Sequence, residues 1–174
     1  YWFSIVPATS ASNLASPGKR LESQAETRTG DVMFSFMKSL ALIGAEGVFD
    51  SPRARIVGFS EAGGDARQSL LAGQSAMRSV FERTGMTLAD MDRVEFMEAF
   101  APPVAIFERD FKPDLSKVNV TGGHIAKGHP MGATGAILLS TLLDALDVAD
   151  GQFGLVVVTG AQGAGAAMIV ERLK

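Results

Sequence analysis

Apolar residues recur at helical spacing in two long segments of the chain. In residues 68–84 they are Leu70, Leu71, Met77, Val80 and Phe81, and in residues 136–148 they are Leu138, Leu139, Leu142, Leu143 and Leu146. These patterns predict two amphipathic helices, each with one face against a core. Gly85 follows the first segment at a position where helix ends favour glycine. Shorter helices are predicted over residues 39–46 and 98–109, the second with two prolines in its first turn.

Apolar and β-branched runs of strand length lie between these helices. They cover residues 53–59, 93–97, 154–158 and 166–170. Strands that alternate with helices predict an α/β fold, with helices on both faces of one sheet. A short glycine-rich link, residues 160–165, separates the last two strands. Such a link favours an antiparallel pair, so the sheet is expected to be mixed.

The beginning of the chain differs in composition from the rest. Residues 7–30 are rich in Ser, Thr, Ala and charge, with a Pro17–Gly18 turn signal. We expect residues 1–30 to form a linker or peripheral segment, and residues 31–174 to form one domain. Within that domain, residues 32–37 are an apolar run that fits either a strand or the start of a helix.

Composition excludes several classes of function. The 174 residues include no cysteine, which rules out disulfides, thiolate metal sites and a thiol nucleophile supplied by this chain. A formal net charge of −3 disfavours a nucleic-acid partner, because phosphate binding needs clustered Lys and Arg. The sequence shows neither a targeting segment nor an apolar run near the ~20 residues that span a bilayer. We therefore expect no membrane span and a cytoplasmic location.

Both histidines of the chain lie in one glycine-rich segment, residues 119–135. Gly128 and Pro130 flank His129, which places its imidazole on a rigid turn just before a predicted helix. The positive end of that helix disfavours the imidazolium form. A neutral His129 could act as a base or donate a hydrogen bond to a carbonyl oxygen that gains charge. The alternative is a structural histidine that caps the helix, and for His124 we favour that structural interpretation.

Two other segments contain candidate polar groups. Glu98 follows a predicted strand, and its carboxylate is expected to cap the next helix rather than act as a catalytic acid. Thr159 ends a predicted strand, and its hydroxyl is expected to bond to local backbone rather than act in catalysis. The glycines after it resemble a reversed dinucleotide fingerprint, but a strand follows them, so we reject nucleotide binding. No metal site is expected.

Three segments, taken in order, resemble a known family. Residues 98–101 read Glu-Ala-Phe-Ala, residues 128–135 read Gly-His-Pro-Met-Gly-Ala-Thr-Gly, and residues 154–172 form a closing hairpin. They resemble the C-terminal half of the thiolase family, over about residues 31–172. The resemblance implies an αβα half that is stacked on a second, similar half. It also implies Claisen or retro-Claisen chemistry on acyl-CoA thioesters, with the coenzyme A thioester as substrate and no bound cofactor.

The resemblance assigns roles to individual positions. His129 matches the histidine that activates a nucleophilic cysteine of the other half and contributes to the oxyanion hole. Substrate-binding positions fall on Met97, Glu98, Ala99, Phe100, Gly128, Gly160 and Ala161. Two positions depart from the family. Met97 stands where the family has an asparagine that holds a water. The second cysteine of the family, which serves as acid and base, aligns with Thr159 or, in another alignment, with Val157.

Three functions remain open at this point. The first is a thiolase-like acyltransferase whose missing N-terminal half comes from the same gene or from a partner chain. The second is a catalytically silent domain that binds acyl-CoA or completes a partner. The third is a thiolase-like retro-aldol lyase, which does not require the second cysteine. Because half of a stacked fold would expose apolar surface at residues 136–148 or nearby, we also expect a partner half or a homo-oligomer.

Overall fold

The computed structural model describes residues 2–6, 40–45 and 50–173. In these residues six strands form one sheet: β1 Trp2–Val6, β2 Leu40–Gly44, β3 Ala54–Gly63, β4 Arg93–Phe96, β5 Phe153–Thr159 and β6 Ala164–Arg172. Their order across the sheet is β2-β1-β3-β6-β5-β4. β4 and β5 run parallel, and the other neighbours run antiparallel. The mixed sheet and the antiparallel pairing of the last two strands are as predicted.

The described residues also contain four α-helices: α1 Ala72–Thr84, α2 Ala101–Phe111, α3 His124–Lys127 and α4 Thr134–Ala149. Helices cover both faces of the sheet. On one face, α1 and α2 pack over a core that includes Met77, Val80, Phe107, Leu155, Val157 and Ile169. On the other face, α4 buries all five predicted leucines against Val156 and Val170. The α/β class with two covered faces is therefore confirmed.

The beginning of α1 approaches the sheet at backbone distance. A Cβ placed on Gly73 would lie 2.6 Å from the carbonyl oxygen of Val158, and one on Gly165 would overlap the backbone of α1. Only glycine permits such an approach. As a result, the start of α1 lies at the end of the sheet where β5 stops and β6 begins.

Some predicted elements are wrong or begin elsewhere. The helix expected over residues 39–46 is a strand where the structure describes it, because Leu40–Gly44 pairs with β1. Sheet pairing overrides the weak helical preference of so short a run. The helix expected from residue 98 begins at Ala101, and the helix expected from residue 68 begins at Ala72. Leu70 has a φ of +73°, which interrupts the helical backbone before α1.

The division into a linker and a domain stays a prediction. Trp2–Val6 forms a strand that we did not predict, and it pairs with β2 and β3. The remainder of the expected linker, residues 7–30, and the apolar run 32–37 lie outside the described residues.

One helical stretch, residues 131–149, is long and apolar enough to cross a membrane by length and composition, with a mean hydropathy of 1.4. We expected no stretch of that length. Its leucine face packs on the sheet, and Asp144 and Asp147 near its end bind Arg53 at 2.9 and 2.6 Å. A core helix of a globular domain passes the same test, and these contacts fit that role.

Candidate active site

A cavity of about 600 Å³ lies where β5 ends, β6 begins and α4 starts. Seven of the nine predicted site residues line it: Met97, Ala99, Phe100, His129, Thr159, Gly160 and Ala161. The other two, Glu98 and Gly128, are not among its lining residues. The fold therefore brings together predicted residues that are up to 64 positions apart in sequence.

His129 is held at the cavity wall by the start of α4. Its Nδ1 lies 2.8 Å from Oγ1 of Thr134, a buried residue in the first turn of that helix. This contact occupies one ring nitrogen and leaves Nε2 as the nitrogen available to a reactant. Because a threonine hydroxyl can donate or accept, this contact is compatible with Nε2 as a base and with Nε2 as an N–H donor.

Thr134 was not among the predicted site residues, although a signal for it exists. A Ser or Thr in the first turn of a helix can direct its hydroxyl to a neighbouring polar group. Here Thr134 follows His129 by five residues across a tight turn. Spacing alone does not distinguish a hydroxyl that binds imidazole from one that caps backbone, and only the three-dimensional structure shows which contact forms.

Thr159 contradicts the expectation of a hydroxyl bonded to local backbone. The residue is 4% exposed, and its Oγ1 has no hydrogen-bond partner in the part of the chain that the structure describes. A buried hydroxyl without a partner is unfavourable by about 1–3 kcal/mol. Thr159 is among the residues that line the cavity, although its hydroxyl oxygen is itself buried.

Glu98 also differs from its predicted role as a cap of the following helix. Its carboxylate accepts a hydrogen bond from Nδ2 of Asn119 at 2.7 Å and from the backbone N of Ile125 at 3.1 Å. It therefore caps α3 rather than α2. A Cβ on Gly123 would overlap this carboxylate, so glycine is needed there. Glu98 thus fixes the loop before His129 from behind the cavity instead of lining it.

His124 is buried beside this loop, 4% exposed, and does not line the cavity. Both of its ring nitrogens lack a hydrogen-bond partner among the described residues, so it caps no helix with its ring. Its ring centroid lies 6.0 Å from that of His129, with the planes at 79°. Burial lowers the pKa of His124, as do His129 and Lys127, whereas Glu98 acts in the opposite direction. Together these influences favour the neutral form of the imidazole.

The remainder of the cavity is mostly apolar, and parts of its wall are strained. Met97 offers no hydrogen-bond donor, and Glu61 is the one carboxylate among the lining residues. Two lining residues that we did not predict, Leu70 and Met131, have positive φ values of 73° and 52°. Such backbone conformations are unfavourable in residues other than glycine, and they cluster at active sites and ligand-binding sites.

Near the cavity, Glu95 is a second unusual titratable group. The side chain is 2% exposed on β4, and burial raises its pKa to about 7, with Glu98 acting in the same direction and Lys127 against it. Among the described residues, no group of three or more His, Asp or Glu side chains could hold a metal ion.

Comparison with known proteins gives one consistent family. The thiolase C-terminal domain family matches residues 50–172. A steroid 3-ketoacyl-CoA thiolase of Mycobacterium tuberculosis is 42% identical over 122 residues, which cover 70% of this chain and 30% of that protein. An acetyl-CoA acetyltransferase of Escherichia coli is 38% identical over 123 residues, which cover 71% and 31% respectively.

Solved structures give the same result. The acetyl-CoA acetyltransferase of Bacillus anthracis superposes with a TM-score of 0.73 at 33% identity, over 78% of this chain and 35% of that one. Human mitochondrial 3-ketoacyl-CoA thiolase gives a TM-score of 0.69 at 35% identity, over 71% and 32%. This chain therefore spans about a third of the length of these relatives. It belongs to the thiolase family and matches the C-terminal domain of that family.

Proposed function

We propose that this chain is the C-terminal part of a thiolase-like acyltransferase that acts on acyl-CoA and 3-ketoacyl-CoA thioesters. The observation that carries the proposal is the placement of His129. One of its nitrogens is held by Thr134 at 2.8 Å, while the ring faces an apolar cavity that Thr159 also lines. The acetyltransferase and thiolase names of the relatives support this choice of reaction.

His129 has two tasks in such a reaction. As a base it takes the proton of an attacking thiol, whose sulfur adds to the 3-keto carbon. When the carbon–carbon bond then breaks, its electron pair leaves on the α-carbon of the departing CoA ester, which takes up a proton, and the acyl group stays on the sulfur until CoA accepts it. As an N–H donor, His129 stabilises the negative charge on the carbonyl oxygen. The apolar wall strengthens both interactions because it keeps water away.

The attacking thiol must come from outside this chain, since the 174 residues contain no cysteine. Apolar surface next to the cavity supports a second half that supplies it. Phe100, Ile125 and Met131 are between 62% and 75% exposed. A second apolar groove of about 270 Å³ lies between α4 and the face of β3 and β6. An N-terminal thiolase half, from the same gene or a partner chain, fits these surfaces, and we expect the assembled protein to be a homo-oligomer in the cytoplasm.

The two departures from the family, Thr159 in place of a cysteine and Met97 in place of an asparagine, are expected to slow this reaction. The α-carbon of one acyl group must gain or lose a proton, and a threonine hydroxyl is a much weaker acid than a thiol. The absence of a positioned acid and base typically reduces a rate by ~10²–10⁴-fold. This favours a second candidate, a retro-aldol lyase on a CoA ester, in which no proton transfer through position 159 is needed. A silent domain that binds acyl-CoA is the remaining alternative.

The proposal is tested on the natural protein purified from its host together with any further domain or partner chain that is attached to it. The protein is tagged at its C-terminus at its own locus, recovered intact and supplied with acetoacetyl-CoA and free CoA. The acyltransferase proposal predicts that one CoA is consumed and two acetyl-CoA are formed per turnover. Cleavage of a 3-hydroxyacyl-CoA that consumes no CoA would instead show the lyase, and binding without turnover of either substrate would show the silent domain.

A single substitution tests the assignment of Thr159. Thr159→Cys introduces a thiol at the cavity wall, so the thiolysis rate is expected to rise by at least tenfold. Thr84→Cys is the matched control, because Thr84 lies at the end of α1 and does not line the cavity. Equal rates for wild type and Thr159→Cys would place position 159 outside the chemistry.

A further inference from the structure

Two titratable side chains line the cavity, those of His129 and Glu61. Glu61 was not among the site residues predicted from the sequence, and it lies two positions before the end of β3. The residue is exposed, and its carboxylate forms no hydrogen bond or ion pair with any other residue that the structure describes. This carboxylate is therefore free to contact a molecule that binds in the cavity.

Glu61 belongs to a row of four residues that forms the floor of the cavity. Across the sheet, Glu61 pairs with Ala166 on β6, and Ala166 is next to Val158 on β5. Met97 continues the row, because it directly follows β4, whose last residue pairs with Val157. Residues paired in this way direct their side chains to the same face of a sheet. In agreement, all four residues line the cavity.

The Glu61 side chain is long enough to reach over this floor. Neighbouring strands lie about 4.8 Å apart, and three carbon–carbon bonds of about 1.5 Å each lead from the Glu61 Cα to its carboxyl carbon. The residue between Glu61 and Val158 is Ala166, whose side chain is a single methyl group. His129 comes from the opposite wall, just before α4, where a Cβ on Gly135 would lie 3.7 Å from Val158. An acyl group on the floor would lie between an imidazole and a carboxylate.

The proposed reaction needs a group of this kind. Whenever the carbon–carbon bond forms or breaks, one proton must leave or join the α-carbon of the CoA ester. Thr159 is a poor candidate for this step, because a hydroxyl is a weak acid and its oxygen is buried. A carboxylate can act as a base at a carbon next to a carbonyl group.

We propose that Glu61 is the acid and base for the α-carbon in this chain. The role rests on the proposed acyl transfer. In bond formation, the Glu61 carboxylate takes a proton from the α-carbon of acetyl-CoA, and the electron pair of that C–H bond attacks the carbonyl carbon of the acyl group on the thiol of the other half. That sulfur leaves as a thiolate, and the proton taken by Glu61 returns to it through solvent and His129. In cleavage each step runs in reverse, with Glu61 giving its proton to the α-carbon.

The test separates two partial reactions of the assembled protein. Transfer of an acetyl group from acetyl-CoA to labelled CoA moves only thiol protons, which are the task of His129. Exchange of the α-hydrogens of acetyl-CoA with deuterium oxide requires the base at the α-carbon. Glu61→Gln should lower this exchange and acetoacetyl-CoA thiolysis by about 100-fold or more, and should leave transfer to labelled CoA little changed.

Two further variants complete the experiment. Glu61→Asp keeps a carboxylate on a side chain that is one carbon shorter, and should recover part of the exchange rate. Glu108→Gln is the matched control, because Glu108 is exposed on α2 and does not line the cavity, so all its rates should equal those of wild type. Wild-type exchange in Glu61→Gln would overturn the proposal. An equal fall in exchange and in acetyl transfer would overturn it too, since a side chain that only shapes the cavity affects both.

The same measurements separate this role from the proposed function. A wild-type protein that transfers acetyl groups to labelled CoA but exchanges no α-hydrogen would refute the role of Glu61 and leave the acyl transfer in place. A wild-type protein that neither transfers acetyl groups nor cleaves acetoacetyl-CoA would refute the acyltransferase and, with it, the role of Glu61.

Discussion

The two ends of the sheet differ in how many of their polar groups have hydrogen-bond partners. Where β5 begins, the Asp92 carboxylate accepts hydrogen bonds from the backbone N of Gln152 at 2.7 Å and of Phe153 at 3.0 Å. Where β5 ends, Thr159 and the nearby His124 account for three of the four unpartnered buried side-chain atoms among the described residues. The fourth belongs to Arg93, which still donates from Nη1 to the Asp92 carbonyl.

Along β5, the contacts that stabilise the fold lie where the strand begins, and the groups proposed to act in function lie where it ends. Surface ion pairs at the paired end, such as Arg53 with Asp144, contribute little individually, but the bound backbone N–H groups fix where β5 starts. The cavity end keeps buried hydrogen-bonding groups without partners. Positive φ values occur at both ends, at Leu70 and Met131 beside the cavity and at Asp150, where α4 ends before β5. The unpartnered groups destabilise a fold, and they are expected where a site must interact with a substrate.

The largest expected stability effect concerns Glu95. Burial raises its pKa from an ordinary 4.5 to about 7, so the folded chain binds the proton more tightly than the unfolded chain. Stability should therefore fall as the pH rises from about 4.5 to 7 and level off above that range. Glu95→Gln removes this loss and should stabilise the chain by about 2 kcal/mol at pH 8.

Urea unfolding at pH 5 and pH 8 measures this effect. Glu82→Gln is the control, because Glu82 is exposed on α1. A Glu95→Gln chain with the same pH dependence as wild type would show that the Glu95 carboxyl titrates alike in both states.

The next effect belongs to the paired end. Asp92→Ala removes the acceptor of two backbone N–H groups and should destabilise the chain by about 1–3 kcal/mol. Asp92→Asn keeps one acceptor oxygen and should lose less. Chemical denaturation ranks the three proteins, and an Asp92→Ala chain as stable as wild type would remove the contrast between the two ends.

The smallest expected effect is a stabilisation, in contrast to the loss expected for Asp92→Ala. Thr159→Val replaces an unpartnered hydroxyl with a methyl of similar shape, so the chain should gain about 1 kcal/mol. Thr84→Val is the counterpart, because Oγ1 of Thr84 donates to the Val80 carbonyl at 2.8 Å and its removal should destabilise. Calorimetry of both variants measures whether each substitution raises or lowers the stability of the chain. A loss in both would mean that the Thr159 hydroxyl is satisfied in solution.

Much of this architecture follows from local pattern. The leucines of α4, the final hairpin and the glycine at the end of α1 each leave a signal within a few neighbouring positions, and the structure contains all three. Seven of the nine predicted site residues also meet at one cavity, because the motif that contains His129 directly precedes α4. Leu40–Gly44 was predicted wrongly because a five-residue apolar run has no decisive period of its own.

The polar contacts of the site could not be read from the chain. Glu98 binds groups 21 and 27 positions away, so its role as a cap for α3 depends on tertiary packing. The isolation of His124 is a property of its surroundings and has no sequence pattern at all. A hydrogen bond from Thr134 to a nearby polar group could be predicted from its place in the first turn of α4. Whether its partner is an imidazole or the backbone depends on the fold.

The central claim is that His129 performs the proton transfers of acyl transfer at the cavity end. The most direct measurement is the rate of CoA-dependent acetoacetyl-CoA cleavage by the assembled protein with His129→Asn, which keeps a polar group of similar reach but cannot serve as the base. The account predicts a loss of at least ~10²-fold in kcat, with an unfolding temperature close to that of wild type. An unchanged rate in a folded His129→Asn protein would contradict it.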